Sequence, residues 1–175
     1  PYGKGFPMDR FTGQHLIVAA GGSGLAPVRP ILNHFFNAPD QVLSLHLLAG
    51  FRNPAGLLFR RDLDRWRTKF KITLTVDKGD DGWDGNVGLI TECVKRLDLA
   101  DLARTQVVIV GPPPMMKFTA AEFILKQVPP RNIWVSFERL MSCGLGKCGH
   151  CKIDYTYVCL DGPVLNFSQA REMID

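Results

Sequence analysis

Four of the chain's five cysteines fall in one short stretch. Three lie in Cys143-Gly144-Leu145-Gly146-Lys147-Cys148-Gly149-His150-Cys151, and the fourth in Tyr157-Val158-Cys159-Leu160-Asp161-Gly162-Pro163. The spacing is C-x4-C-x2-C-x7-C. So dense a set of thiols constrains the fold more than any apolar pattern does, because the loop has to wrap whatever the sulfurs converge on. Gly144, Gly146 and Gly149 supply the freedom for that wrapping, since glycine takes positive φ at no steric cost.

A C-x4-C-x2-C run with a later fourth cysteine is the plant-type spacing for a [2Fe–2S] cluster. Two irons and two sulfides form a compact core that needs four thiolates converging on it, so Cys143, Cys148, Cys151 and Cys159 are the expected ligands. Zinc competes for the same thiols. Structural zinc sites, however, usually pair their ligands as two short knuckles, whereas here the first three cysteines crowd together and His150 offers a further nitrogen. Two disulfides fit poorly with an odd cysteine count in a chain of this size, and unpaired core thiols do not occur at this density. His150 reads better as a spacer than as a ligand. Cys93 stands alone in a helical pattern and reads as a small buried hydrophobe.

With 175 residues, 46% hydrophobic and 22% charged, the chain can bury one core and carry a small appendage. A net charge of +4 without any block of Lys or Arg argues against nucleic acid as a partner. No apolar run reaches the length of a membrane span, and no signal peptide is visible. Together with a clustered-cysteine metal site, this suggests a reducing, cytoplasmic setting. The sequence starts at Pro1 rather than Met, so a fragment with an N-terminal portion missing is expected.

The chain alternates short apolar runs with helical periodicity. Residues 1–14 are turn-rich and read as a loop. Strands are expected over Leu16–Ala20, Leu43–Ala49, Lys71–Val76, Gln106–Val110 and Ile133–Phe137. Helices are expected to about Phe36, with Pro27 in the first turn, then over Leu57–Trp66, Val87–Leu97 and Met115–Lys126. Val87, Ile90, Val94 and Leu97 would share a face. Five strands alternating with helices imply an α/β fold with a five-stranded, parallel, doubly wound sheet. Its strand C-terminal ends would lie on one edge, where ligands bind. From about Glu138 the pattern stops. The division expected is 1–14 as the tail of a preceding domain, 15–137 as a nucleotide-binding domain, and 138–175 as a cluster-binding module with a short helix near Ser168–Ile174.

Gly22-Ser23-Gly24-Leu25-Ala26-Pro27 follows the first strand and opens the first helix. Glycines there let a pyrophosphate approach the backbone at a helix N-terminus. The G-x-G-x-x-G fingerprint is broken, because Pro27 takes its third position. A tight strand–helix turn is the plainer reading of that loop, and a rigid helix start is the plainer reading of Gly111-Pro112-Pro113-Pro114 after the fourth strand. Both loops on one sheet edge make nucleotide binding the better reading.

These residues together resemble the ferredoxin–NADP reductase superfamily, in its branch with a C-terminal [2Fe–2S] domain. That branch includes the gamma subunits of sulfhydrogenases and NiFe hydrogenases, a subunit of the anaerobic sulfite reductases and the dihydroorotate dehydrogenase electron-transfer subunit. The resemblance rests on Gly21-Gly22-x-Gly24-x-Ala26-Pro27, Gly111-Pro112-Pro113 and the cysteine set. It implies that Gly22, Gly24 and Pro27 line the pyrophosphate of NAD(H) or NADP(H) and that Gly111 and Pro112 border the nicotinamide. It further implies FAD in the intact protein, held mainly by a preceding barrel domain of which Pro1-Tyr2-Gly3 looks like the tail.

Two positions depart from the family pattern. Val110 stands where many relatives carry Cys before Gly-Pro. Asp77-Lys78 stands where plant-type reductases read the 2′-phosphate with Ser-Arg, and a carboxylate there favours the free ribose hydroxyl of NADH. Arg52, after the second strand, is a candidate to help hold the cofactor, its alternative being a solvated loop charge.

The reading is an electron-transfer subunit of a flavin iron–sulfur oxidoreductase, serving a partner catalytic subunit in a hetero-oligomer. No acid–base residue is required, and His15, His34 and His46 read as fold or surface residues. The rivals are a dihydroorotate dehydrogenase electron-transfer subunit and a non-redox interaction module with structural zinc.

Overall fold

The computed structural model describes residues 3–174, and the side chain of Ile174 is not among what it describes. Pro1 and Tyr2, part of the expected tail of a preceding domain, lie outside the described residues. The segment expected to be loop contains a single helical turn, α1 (Met8–Phe11). It forms because Phe11 is fully buried, with its ring edge-on to Trp134 at 6.4 Å between centroids.

The alternating pattern then unfolds in order: β1 (His15–Gly21), α2 (Leu25–Asn37), β2 (Ser44–Phe51), α3 (Arg60–Trp66), β3 (Lys71–Val76), β4 (Asn86–Val87), α4 (Ile90–Lys95), β5 (Thr105–Val110), α5 (Pro113–Leu125) and β6 (Ile133–Ser136). All five expected strands are present. They lie in the order β3-β2-β1-β5-β6, every neighbouring pair parallel. Two short strands complete a seven-stranded, mostly parallel sheet. β4 adds parallel to β3, and β9 (Val164–Asn166) adds antiparallel to β6 at the opposite edge. Between β6 and β9 the chain forms the two-stranded β7 (Lys152–Ile153) and β8 (Thr156–Tyr157) and the single turn α6 (Val158–Asp161). It ends in α7 (Phe167–Ala170) and a 3-10 turn, Arg171–Ile174.

β1 is buried on both faces, and its side chains alternate between two cores. Leu16, Val18 and Ala20 pack with α2 and α3, while Ile17 and Ala19 pack with α4 and α5. Two helices therefore cover each face, as a doubly wound sheet requires. The cysteine segment joins the second of these cores through Cys151, Ile153, Val158 and Cys159.

Two helices start three residues later than the sequence expectation, and α5 starts two residues earlier, at Pro113. Val87 is not helical: it pairs with Val76 in β4 and is 61% exposed. The cause is local. Asn86 Nδ2 donates to the Leu74 carbonyl, Thr75 Oγ1 donates to the Gly88 carbonyl, and Gly88 sits at φ +126, so α4 starts only at Ile90. α3 starts at Arg60 rather than Leu57, because Pro54–Gly56 forms a 3-10 turn and Phe59 takes φ 53. Pro30 sits inside α2 on its exposed side, where its missing amide donor is tolerated. Among the described residues no helix is long and apolar enough to cross a membrane.

Half-buried His46 on β2 pairs with Thr73 Oγ1 at 2.9 Å, and burial, then the nearby Lys71 charge, lower its pKa from 6.5 to about 4. The folded state therefore disfavours the imidazolium. Stability should be full above pH 6.5 and fall as pH drops from there through about 4, because the unfolded chain binds the proton more readily. After allowance for solvent on its open side, the loss should be on the order of 1 kcal/mol. Urea midpoints at about pH 7.5 and about pH 5 measure it, and His46→Gln should flatten the difference.

Candidate functional site

The sheet's switch point lies between β1 and β5, whose C-terminal ends are in register at Ala20 and Val110. β1 runs into a 3-10 turn, Gly22–Gly24, which leads directly into α2. Gly22 has φ +55 with open space around it, so it is there for the backbone. Gly24 is there for space: a Cβ would meet the Val110 carbonyl oxygen at 2.4 Å. Pro27 occupies the first turn of α2. On the other side of the crevice Gly111 follows β5, and Pro112 precedes α5. The structure thus brings Gly22, Gly24, Pro27, Gly111 and Pro112 to one crevice.

Met115 belongs there too, and sequence reasoning missed it. A Cβ on Gly21 would meet its Sδ at 2.2 Å, and one on Gly111 would meet it at 2.7 Å. The thioether floors the crevice between the two strand ends. The run Gly21-Gly22 with Gly111 signalled that something lies close by, but nothing local named which side chain.

Arg52 and Asp77 are exposed at the ends of β2 and β3 and stand side by side. Asp77 N–H donates to the Phe51 carbonyl at 2.9 Å, and Lys78 N–H donates to the Arg52 carbonyl at 3.1 Å. They lie on the same edge as the glycine turn, toward the outer strands. A cavity of about 530 Å³ lies away from the crevice. It lies beyond α3 and β3, lined among others by Leu57, Arg60, Asp64, Trp83 and Asp84.

The cysteine loop leaves the sheet one strand further along. β5 and β6 are paired at Val110 and Ser136, so Gly111 and Phe137 follow neighbouring strand ends. Cys151 and Cys159 are buried, Cys143 is half-buried and Cys148 exposed, and all four are free thiols. Backbone amides point at the sulfurs: Leu145 N–H at Cys143 Sγ (3.3 Å), Cys148 N–H at the same atom (3.4 Å), and Gly146 N–H at Cys159 Sγ (3.3 Å). Positive φ at Gly144, Gly146 and Gly149 produces this wrapping. The amides of Leu145, Cys148 and Lys147, together with the Cys148 thiol, lower the Cys143 pKa to about 6. Burial, then the neighbouring Cys151, raises that of Cys159.

Cys148 acts on Cys143, and both Cys151 and Cys143 act on Cys159, so the four thiols influence one another electrostatically. Among the described residues no three His, Cys, Asp or Glu side chains are arranged to hold one metal ion in common. Four free, soft thiols on one loop, faced by amide dipoles, fit an iron–sulfur cluster. His150 is exposed, and Cys93 is buried in α4, where burial raises its thiol pKa.

A parallel sheet with a glycine turn at its switch point, beside a loop of four free thiols, defines an oxidoreductase domain joined to an iron–sulfur domain. Residues 18–121 match the family described as oxidoreductase NAD-binding domain, and residues 138–170 match the iron–sulfur cluster binding domain of dihydroorotate dehydrogenase B. The chain belongs to the ferredoxin–NADP reductase superfamily, in its branch carrying an iron–sulfur domain.

It is 31% identical to sulfhydrogenase 2 subunit gamma of Pyrococcus furiosus, over 97% of this chain and 65% of that protein. It is 30% identical to a probable dihydroorotate dehydrogenase B (NAD(+)) electron transfer subunit of Methanocella arvoryzae, over 95% of this chain and 59% of that protein. The chain thus spans about three-fifths of the length of these curated relatives. A solved NADH-dependent reduced ferredoxin–NADP oxidoreductase shares the fold, with TM-score 0.64 and 23% identity over 99% of this chain and 62% of that one.

The glycine turn separates two effects. Gly24→Ala should cost about 1–3 kcal/mol of stability and weaken dinucleotide binding, because the new Cβ meets a backbone carbonyl. Gly22→Ala should cost only about 1 kcal/mol, from the backbone alone. Denaturant unfolding and calorimetric titration with NADH measure both.

Proposed function

We propose that this chain is the dinucleotide-binding and [2Fe–2S] part of an electron-transfer subunit, carrying electrons between NAD(P)H, FAD and the cluster to or from a partner catalytic subunit. The observation that carries the reading is the shared edge: the glycine crevice and the four-thiol loop leave adjacent strand ends of one sheet. FAD would be held mainly by polypeptide preceding this chain. The division that follows is 1–14 as a tail, 15–137 as the nucleotide domain and 138–175 as the cluster module, which also lends β9 to the sheet.

When bound, the flavin accepts a hydride as an electron pair, and the cluster passes electrons singly. The chain's own residues bind and orient. Gly22 and Gly24 expose backbone to a pyrophosphate at the start of α2. Pro27 shapes that first turn, and Gly111, Pro112 and Met115 form the walls and floor against which a nicotinamide would lie. Arg52, Asp77 and Lys78 would meet the adenosine ribose, where the Asp77 carboxylate accepts from a free hydroxyl and repels a 2′-phosphate. Cys143, Cys148, Cys151 and Cys159 would hold the cluster. The amides of Leu145, Gly146 and Cys148 would stabilise negative charge on the sulfurs and so help set the potential. No residue needs to move a proton.

The partner would be a hydrogenase- or sulfite-reductase-type catalytic subunit in a hetero-oligomer, in a reducing, cytoplasmic compartment that keeps the four thiols free. The match of residues 138–170 to a dihydroorotate dehydrogenase domain favours a second reading, in which that enzyme's catalytic subunit is the partner.

Anaerobically purified protein should contain about two irons and two labile sulfides per chain and give an S = 1/2 EPR signal on reduction. Serine at Cys143, Cys148, Cys151 or Cys159 should abolish that signal, whereas Cys93→Ser should leave it intact. One zinc and no sulfide would overturn the reading. In the intact flavoprotein, Asp77→Ser should narrow the preference for NADH over NADPH by roughly tenfold in kcat/KM.

A further inference from the structure

The loop that carries Cys159 is held from two sides. On the sheet side, Phe137 N–H donates to the Pro163 carbonyl at 3.0 Å, and β9 continues from there along β6. On the other side lies the N-terminal segment. Lys4 pairs with Pro163 as a parallel bridge, and its N–H donates to the Gly162 carbonyl. Gly162 is buried, and its own N–H donates to the Val158 carbonyl at 3.1 Å, closing the turn in which Cys159 sits.

Gly3 fits this place as no other residue would. Its φ is +70, and a Cβ there would meet the Gly162 carbonyl oxygen at 1.8 Å and the Val158 carbonyl oxygen at 3.1 Å. Both are backbone atoms, so no rotamer change relieves the clash. Gly5 differs: nothing lies within 4 Å of a Cβ placed on it. The far end of the segment is anchored by Phe11, buried against Trp134, with Phe6 and Met8 packed on the same core. Inside the loop, Leu160 rests against Gly146, whose amide faces the Cys159 sulfur. A push on Gly162 is therefore passed to both sides of the cysteine site.

We propose that residues 3–5 are a strap that positions the Cys159 loop, with Gly3 and the Lys4 amide as positioning groups for the cluster. The proposal rests on the cluster reading for its spectroscopic consequence, but the strap itself is testable without iron.

In the intact holoprotein, Gly3→Val should broaden and shift the reduced EPR signal and speed iron loss to bipyridyl by about tenfold, the effect of one lost backbone hydrogen bond. Gly5→Ala should match the wild type in both, and NADH affinity should be unchanged in either variant. In metal-free protein, alkylation of Cys159 by iodoacetamide, followed by peptide mapping, should rise by about tenfold in Gly3→Val and not in Gly5→Ala. Lys4→Pro removes the amide donor without adding a Cβ at position 3, and should reproduce these effects if Gly3→Val fails to fold. Wild-type signal, iron retention and Cys159 reactivity in both Gly3→Val and Lys4→Pro would overturn the strap. A wild-type protein free of iron and sulfide would overturn the cluster reading instead, and Cys159 alkylation would still decide the strap.

Discussion

β1 is hydrogen-bonded along both edges and buried on both faces, and the rest of the molecule takes its position from it. Its neighbours β2 and β5 fix the point at which the chain changes faces. Its C-terminal end has to pass so near β5 that Gly24 has no room for a side chain. A polypeptide that meets these conditions leaves a crevice lined by backbone rather than side chains, which is the surface a pyrophosphate needs. The crevice is thus a by-product of strand order and close approach.

Electrostatics at the cysteine loop follow a similar economy. Amide dipoles face the sulfurs, freed to point inward by three glycines of positive φ. The two ends of the donor set feel opposite influences. Cys143 is held toward thiolate by several amides, while Cys159 is held toward thiol by burial beside Cys151. The two thiols therefore stand in different electrostatic surroundings, which is the kind of lever a protein has on a bound metal group.

Much of this was legible in the sequence. The long buried strands announced themselves as apolar runs ending at glycine, and the cysteine spacing named its own loop. What escaped were features decided by distant partners. β4 and β9 are only two and three residues long, too short to carry a period, and exist because β3 and β6 offer them edges. Val87 looked helical because its spacing to Ile90 and Val94 was right, and the side-chain bonds of Thr75 and Asn86 overrode that spacing. Met115 could not be placed at the crevice, because its contacts are to glycines, which leave no pattern.

β9 belongs by sequence to the iron–sulfur segment and by hydrogen bonding to the nucleotide sheet. The two parts therefore share a beam as well as a chain connection. The spacing between the glycine crevice and the thiol loop is thus held in part by strand pairing. The same beam limits how such a protein can be recombined. A foreign cluster segment would take only if its returning strand matched the register of Trp134, Val135 and Ser136.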